Sequence, residues 1–282
     1  MDEVSERSHT AEGVAALRAA GARAADPVRR NPDMLAERLI GSRYRLLMRL
    51  RPVRAVALWW TERRLPGLPL FVTARTKHLD AILLAELEAG IKQVVILGAG
   101  ADTRAYRFGP RFPDVTFVEV DHPATSTWKQ ERVRRAFGAS AVRYAPIDFH
   151  RQKPADAFDD LSVPSLFVWE GVTPYLSSEA IDETLATIAG FAPGSSVVFD
   201  YLYRDASGSE KLAAYLNRHD EPLRFGLQPD EVKDFVAGHG LTMISNATAE
   251  DLVRDHLTAA DGTPIGPSLR YAGIVHARVG QS

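Results

Sequence analysis

The chain has 282 residues, 45% hydrophobic and 25% charged, enough to bury a full core and too ordinary in proportion for wholesale disorder or a fibrous repeat. It has no cysteine, which excludes disulfides, Cys-ligated zinc and a thiol nucleophile. With 34 Lys plus Arg against 36 Asp plus Glu, nucleic acid has no general electrostatic reason to bind.

The N-terminal 30 residues carry Asp2, Glu3, Glu6, Arg7 and Glu12 without an apolar block of signal-peptide length. No stretch approaches the roughly 18 apolar residues of a membrane span. The expectation is a cytoplasmic protein with no membrane partner and no metal.

Thr10 to Ala25 is alanine-rich with Val14, Leu17 and Arg18 at helical spacing, and Asp26-Pro27 stops it. Asn31-Pro32 starts a second helix whose stripe of Leu35, Leu39, Ile40, Leu46, Leu47 and Leu50 runs to Arg51-Pro52. An arginine-rich stretch spans both, including Arg38, Arg43, Arg45 and Arg49. It reads as a solvated helix face, with an anionic substrate or an acidic carrier protein as the alternative use. Val53 to Trp60 is apolar and ends in Trp59-Trp60. Adjacent residues point in different directions on any regular element, so one tryptophan is expected at a ligand pocket or another helix. Pro66, Gly67 and Pro69 make a loop, and Thr73 to Asp80 opens a helix that closes at Gly90.

Val94 to Leu97 is a short apolar run ending at Gly98-Ala99-Gly100, the length of a buried parallel strand, followed by a turn where backbone can approach a ligand. Phe117 to Asp121 is a second strand, ending in a carboxylate about 20 residues beyond the glycines, where a parallel α/β fold holds a ribose diol. Ala124 to Phe137 is a helix. Val142 to Ile147, Phe167 to Trp169 and Val197 to Phe199 are three more strands, which deliver Asp148-Phe149, Glu170-Gly171 and Asp200-Tyr201. Ligands of such a sheet lie along the carboxyl ends of its strands, so these carboxylates share one edge. Ile181 to Phe191 is the helix between the fourth and fifth strands. Arg204 to Leu227, with Leu212 and Tyr215 at helical spacing, reads as an insertion above that edge. Gln228 to Gly240 is a helix, and Leu241 to Ala247 and Leu269 to Val279 are two closing strands joined like a hairpin.

The glycine loop separates cofactors. A dinucleotide fingerprint wants a third glycine at position 103, where this chain has Thr103 with Asp102 beside it. A carboxylate beside a pyrophosphate would be repelled, which speaks against an NAD-dependent oxidoreductase. The loop suits a nucleoside with a cationic or zwitterionic tail, and S-adenosylmethionine is such a ligand.

Five blocks in order carry a family resemblance: Thr73-Ala-Arg-Thr with Asp80, Leu97 to Arg104, Val118 to Pro123 with Lys129, Asp148-Phe149, and Glu170-Gly-Val-Thr-Pro-Tyr-Leu176. Together they resemble the leucine carboxyl methyltransferase family, including its bacterial O-methyltransferases. The resemblance implies an α/β, Rossmann-like class I methyltransferase. Its mostly parallel seven-stranded sheet would have helices on both faces, an N-terminal helical cap over residues 1–90, a core over 91–282 and a lid at about 204–227. Arg75 would pair with the methionine carboxylate, Gly98 and Gly100 would lie against the methionine part, and Asp121 would accept from the ribose. Asp148 and Phe149 would hold the adenine, Glu170 would lie by the methionine end, and Tyr175 near the transferred methyl. Many members have leucine where Phe149 stands, and the N-terminal lysine of the phosphatase-modifying enzymes has no match.

The expected activity is methyl transfer to a small-molecule carboxylate, giving an ester. That reaction needs no base, because a carboxylic acid with a pKa near ~4 is already ionised at neutral pH. A phenol or alcohol acceptor would ask for a base, for which His78, His122 and His150 are the nearest histidines in sequence. A non-catalytic module that binds a carrier protein is a further alternative. Acceptor choice falls to the N-terminal helices and the insertion, and Trp59, Trp60, Tyr201 and Tyr203 point weakly to an aromatic or apolar acceptor.

Overall fold

A computed structural model describes residues 9–148, 152, 154–158, 160–204, 210–217 and 222–280. Among the described residues five helices precede the first strand: α1 (His9–Gly21), α2 (Ala36–Leu39), α3 (Ser42–Arg49), α4 (Arg51–Arg64) and α5 (Leu68–Glu88). Then come β1 (Gln93–Leu97), α6 (Arg104–Phe108), β2 (Thr116–Asp121), α7 (Pro123–Phe137), β3 (Arg143–Pro146), β4 (Ser165–Trp169), α8 (Ser178–Ala189) and β5 (Ser196–Leu202). The chain closes with α9 (Glu210–Asn217), α10 (Val232–Gly238), β6 (Leu241–Ala247), α11 (Ala249–His256) and β7 (Ala272–Val279).

The strands form one sheet of order β3-β2-β1-β4-β5-β7-β6. β1 to β5 are parallel, and β7 runs antiparallel between β5 and β6. Alternate residues of each strand face opposite sides. Val94, Ile96, Leu166 and Val168 pack with Leu79 and Leu83 of α5 and Leu252 of α11. Val95, Leu97, Phe167 and Trp169 pack with Ile181 and Leu185 of α8 and Val236 of α10. Both faces are covered, which is why the central strands read as continuous apolar runs.

Three expectations need correction. The segment Thr73 to Asp80 is the middle of α5, because Pro69 in the first turn lets the helix begin directly after Gly67. The helix expected from Asn31 starts only at Ala36: Asn31 Oδ1 accepts from Asp33 N, and Asp33 Oδ1 accepts from Leu35 N and Ala36 N. It breaks again at Ile40-Gly41, giving α2 and α3. The last two strands are neighbours but not a tight hairpin, since α11 stands between them under a capping box of Thr248 and Asp251.

The N-terminal helices are tied to the sheet edge by charge. Arg18 of α1 donates through Nη2 to Ala101 O at 2.7 Å and through Nε to Asp33 Oδ2 at 2.9 Å. Thr103 Oγ1 donates to Asp33 Oδ1 at 2.6 Å. In the arginine-rich stretch, Arg45 donates to the carbonyls of Glu37 and Arg38 near the end of α2, and Arg49 pairs with Glu37.

Candidate active site

The loop after β1 is shaped by its glycines. Gly98 has φ 61° and Gly100 φ 41°, the left-handed region that a side chain disfavours. A Cβ on Gly98 would overlap Val172 Cγ2 in the loop after β4. Gly98 N and Ala99 N donate to Val120 O, and Gly100 N donates to Asp121 Oδ2 at 2.5 Å. His122 N donates to the other oxygen at 2.7 Å. Burial raises the Asp121 carboxyl above its ordinary range despite these two N–H groups and nearby Lys129. Lys129 fastens the loop from below, pairing with buried Glu119 at 2.9 Å and donating to Ala99 O at 3.2 Å. Burial pushes Glu119 up to about 7.

Arg75 sits 7% exposed in α5. Its Nη2 meets Glu170 Oε1 at 3.0 Å and its Nη1 meets Asp200 Oδ2 at 2.5 Å. Asp200 Oδ1 accepts from Gly171 N at 2.6 Å. Arg104 approaches Glu170 from the other side at 2.6 Å, and also holds Asp102 and Asp80. Arg107 is bidentate to Asp80. Although burial favours its protonated form, the Glu170 carboxyl lies well below the carboxylate range because Arg104 and Arg75 stabilise its charge. Burial lowers Arg75 less than Glu170 and Asp200 raise it, so the guanidinium stays charged.

A cavity of about 370 Å³ opens onto this cluster. Leu17, Met48, Leu58, Trp60, Phe71 and Leu212 are among its walls, drawn from α1, α3, α4, α5 and α9. Arg75, Gly171, Tyr175 and Asp200 line it as well, at the sheet edge.

The structure brings Arg75 and Glu170 into contact, and separately Gly100 and Asp121. Asp148 follows β3 beside them: Ile147 N donates to Asp121 O, and Asp148 N donates to Gln152 Oε1. Phe149 and His150 lie outside the described residues. Trp60 lines the cavity, whereas Trp59 is 55% exposed with Arg63 over its ring.

Tyr201 is corrected: it is 1% exposed within the opposite core, lies over Gly273 and donates to Asn246 Oδ1 at 2.8 Å. Tyr203, beyond the strand end, packs against both cores, lies 5.9 Å from Tyr201 and accepts from Ala249 N. His78 turns to His256 on α11 at 3.0 Å, and His122 caps α7 by accepting from Ala124 N. Neither described histidine lines the cavity. The repulsion attributed to Asp102 is corrected too, because its carboxylate is buried against Arg104 and not presented to a ligand.

Sequence reasoning left Asp200, Arg104, Asp80 and Arg18 out of the site. The signal for Asp200 was its place at a strand end beside Glu170's strand. Asp80 and Arg104 stood in the quoted motif blocks and Arg18 at helical spacing, but nothing local showed which charge each would meet.

A mostly parallel sheet with one antiparallel strand, glycines after β1 and a carboxylate at the end of β2 defines a Rossmann-like methyltransferase fold. The profile of the family described as Leucine carboxyl methyltransferase matches residues 11–189, and the chain belongs to that family. A Mycolicibacterium gilvum protein named for S-adenosyl-L-methionine-dependent methyl transfer is 34% identical over 220 residues, 69% of each chain. A Mycobacterium bovis protein with the same kind of name is 29% identical over 91% of this chain and 90% of its own. A Thermobifida fusca structure described as a methyltransferase aligns with TM-score 0.59 at 19% identity, covering 81% of this chain and 89% of that one. Among the described residues no helix is long and apolar enough to cross a membrane.

Proposed function

We propose that this chain methylates an oxygen of an apolar small molecule, with S-adenosylmethionine as the donor. The observation that carries the reading is that the apolar cavity and the cluster at the strand edge share Arg75, Gly171, Tyr175 and Asp200. A nucleoside with a zwitterionic tail fits that edge. Asp121 at that edge keeps acceptor capacity beyond its two N–H partners.

Asp121 would accept from the ribose hydroxyls, and Asp148 and Phe149 would hold the adenine. Gly98 and Gly100 would lie against the methionine part, and Glu170 by its end. Arg75 would pair with the methionine carboxylate through a guanidinium fork. Both of its Nη atoms already hold carboxylates, and its buried Nε–H has no hydrogen-bond partner among the described residues, so the five-donor guanidinium keeps capacity for a third. When bound, S-adenosylmethionine supplies an electrophilic methyl group on a sulfonium. Residues 1–90 and about 204–227 would act as cap and lid, although 1–8, 205–209 and 218–221 lie outside the described residues; the cavity wall includes Leu17, Met48 and Leu58 from the first and Leu212 from the second.

Two acceptor classes fit the cavity. A carboxylate, giving a methyl ester, is favoured by the family's description and needs only a dry pocket in which opposite charges attract strongly. A hydroxyl is favoured by Asp200 in the cavity wall. The test is incubation with methyl-labelled S-adenosylmethionine and apolar carboxylic acids, phenols and alcohols. Products are read by mass and by base lability, which cleaves esters and spares aryl ethers. Label on an oxygen of one class is the expected result, and label confined to nitrogen or carbon acceptors refutes the reading.

A further inference from the structure

Asp200 stands 5% exposed where the apolar cavity meets the charged cluster. One oxygen accepts from Gly171 N and the other from Arg75. A carboxylate offers about four acceptor sites, so Asp200 is held in place with capacity to spare. Around it runs one connected network. The guanidiniums of Arg18, Arg75, Arg104 and Arg107 meet the carboxylates of Asp33, Asp80, Asp102, Glu170 and Asp200. Among the described residues this network sets four cations against five anions, a net charge of −1, and each of the four guanidiniums is already paired. Among the described residues of the cavity wall the other cation is Arg64, which lies over the Trp60 ring at 5.4 Å.

On the reading of this chain as an O-methyltransferase, on which this step rests, we infer that the acceptor is an apolar hydroxyl compound and that Asp200 takes its proton. The donor carries a net charge of about +1 at neutral pH, because its amino and carboxylate groups cancel and the sulfonium remains. That charge balances the network when the acceptor is neutral. A carboxylate acceptor would leave a buried negative charge beside Asp200, where like charges disfavour ionisation. A hydroxyl can donate to Asp200 directly. Its O–H bond breaks, with the proton passing to the carboxylate, as the acceptor oxygen forms a bond to the methyl carbon. The carbon–sulfur bond breaks with its electron pair left on sulfur, which becomes a neutral thioether. Asp200 returns its proton to water after the ether leaves. Tyr175 is a weaker choice, because a phenol side chain is protonated at neutral pH.

The test uses 2-naphthol and 2-naphthoate, which share one apolar body, titrated into the intact chain with sinefungin present, a non-transferring donor analogue whose amine keeps the positive charge of the sulfonium. Wild type is expected to bind the naphthol at least about ten-fold more tightly. Asp200→Asn should close most of that gap by tightening naphthoate. In labelled-methyl assays Asp200→Asn should lower transfer to naphthol by about a hundred-fold or more, and the remaining rate should climb with pH as the naphthol ionises by itself. Tighter naphthoate binding in wild type, or a variant with the wild-type rate and pH profile, overturns the inference. The wild-type binding comparison stands even if the variant fails to fold. Absence of transfer to any oxygen would instead refute the O-methyltransferase reading, while the binding preference still tests the charge argument.

Discussion

Gly98→Ala probes the point where the glycine loop meets the loop after β4. At φ 61° an alanine sits in left-handed backbone, which costs about 1–2 kcal/mol. Its Cβ would also overlap Val172 Cγ2, and forcing an extra carbon into a packed site costs about 1–3 kcal/mol. The two add to a loss of roughly 2–5 kcal/mol, or about 4–10 °C in Tm for a chain of this size. Urea unfolding of Gly98→Ala, Val172→Ala and the double variant separates the contributions. Truncating Val172 should return the packing share to the double variant, giving a coupling of about 1–3 kcal/mol, while the backbone share remains. S-adenosylmethionine affinity should fall both in Gly98→Ala and in the double variant, because the loop cannot keep its turn. A Gly98→Ala protein within about 0.5 kcal/mol of wild type, with unchanged affinity, would refute the cradle.

Arg75→Met leaves Glu170 and Asp200 without their shared guanidinium, and breaking such a buried pair should cost about 3–5 kcal/mol in urea unfolding. Glu170 is ionised far into acid in the wild type, so its stabilisation is complete at neutral pH and is lost progressively as pH falls from the ordinary carboxylate range through that depressed value. Removing Arg75 should therefore move acid unfolding to higher pH, and an unmoved acid transition would contradict the pairing. The raised Asp121 carboxyl must be ionised to accept from both ribose hydroxyls. Cofactor affinity should weaken as pH falls through its pKa, and Asp121→Asn should bind weakly with little pH dependence. A variant that binds as well as wild type would remove the ribose assignment.

Strands β1, β2 and β4 were readable because burial on both faces writes them as unbroken apolar runs, and their terminal carboxylates marked the edge. Tyr201 was misplaced although strand alternation sends the neighbour of Asp200 to the opposite face. The α11 helix went unread although Thr248 and Asp251 have capping-box spacing. Other features had no local signature. The contact of Arg75 with Asp200 joins residues 125 positions apart, and Arg18 reaches Ala101 across 83. Periodicity shows which residues face inward but not which distant charge each will meet. For that reason the strand edge and its carboxylates were legible from the sequence, while the network behind that edge and the cavity beside it were not.

The central claim is that the loop from Gly98 to Arg104, Asp121 and Arg75 form one site for S-adenosylmethionine. Calorimetric titration of the intact chain with S-adenosylmethionine, and in parallel with NADH, tests it most directly. The account predicts micromolar binding of S-adenosylmethionine, strongly weakened by Asp121→Ala, and no comparable heat from NADH. Binding of NADH in its place, or no binding of S-adenosylmethionine by the folded protein, would contradict it.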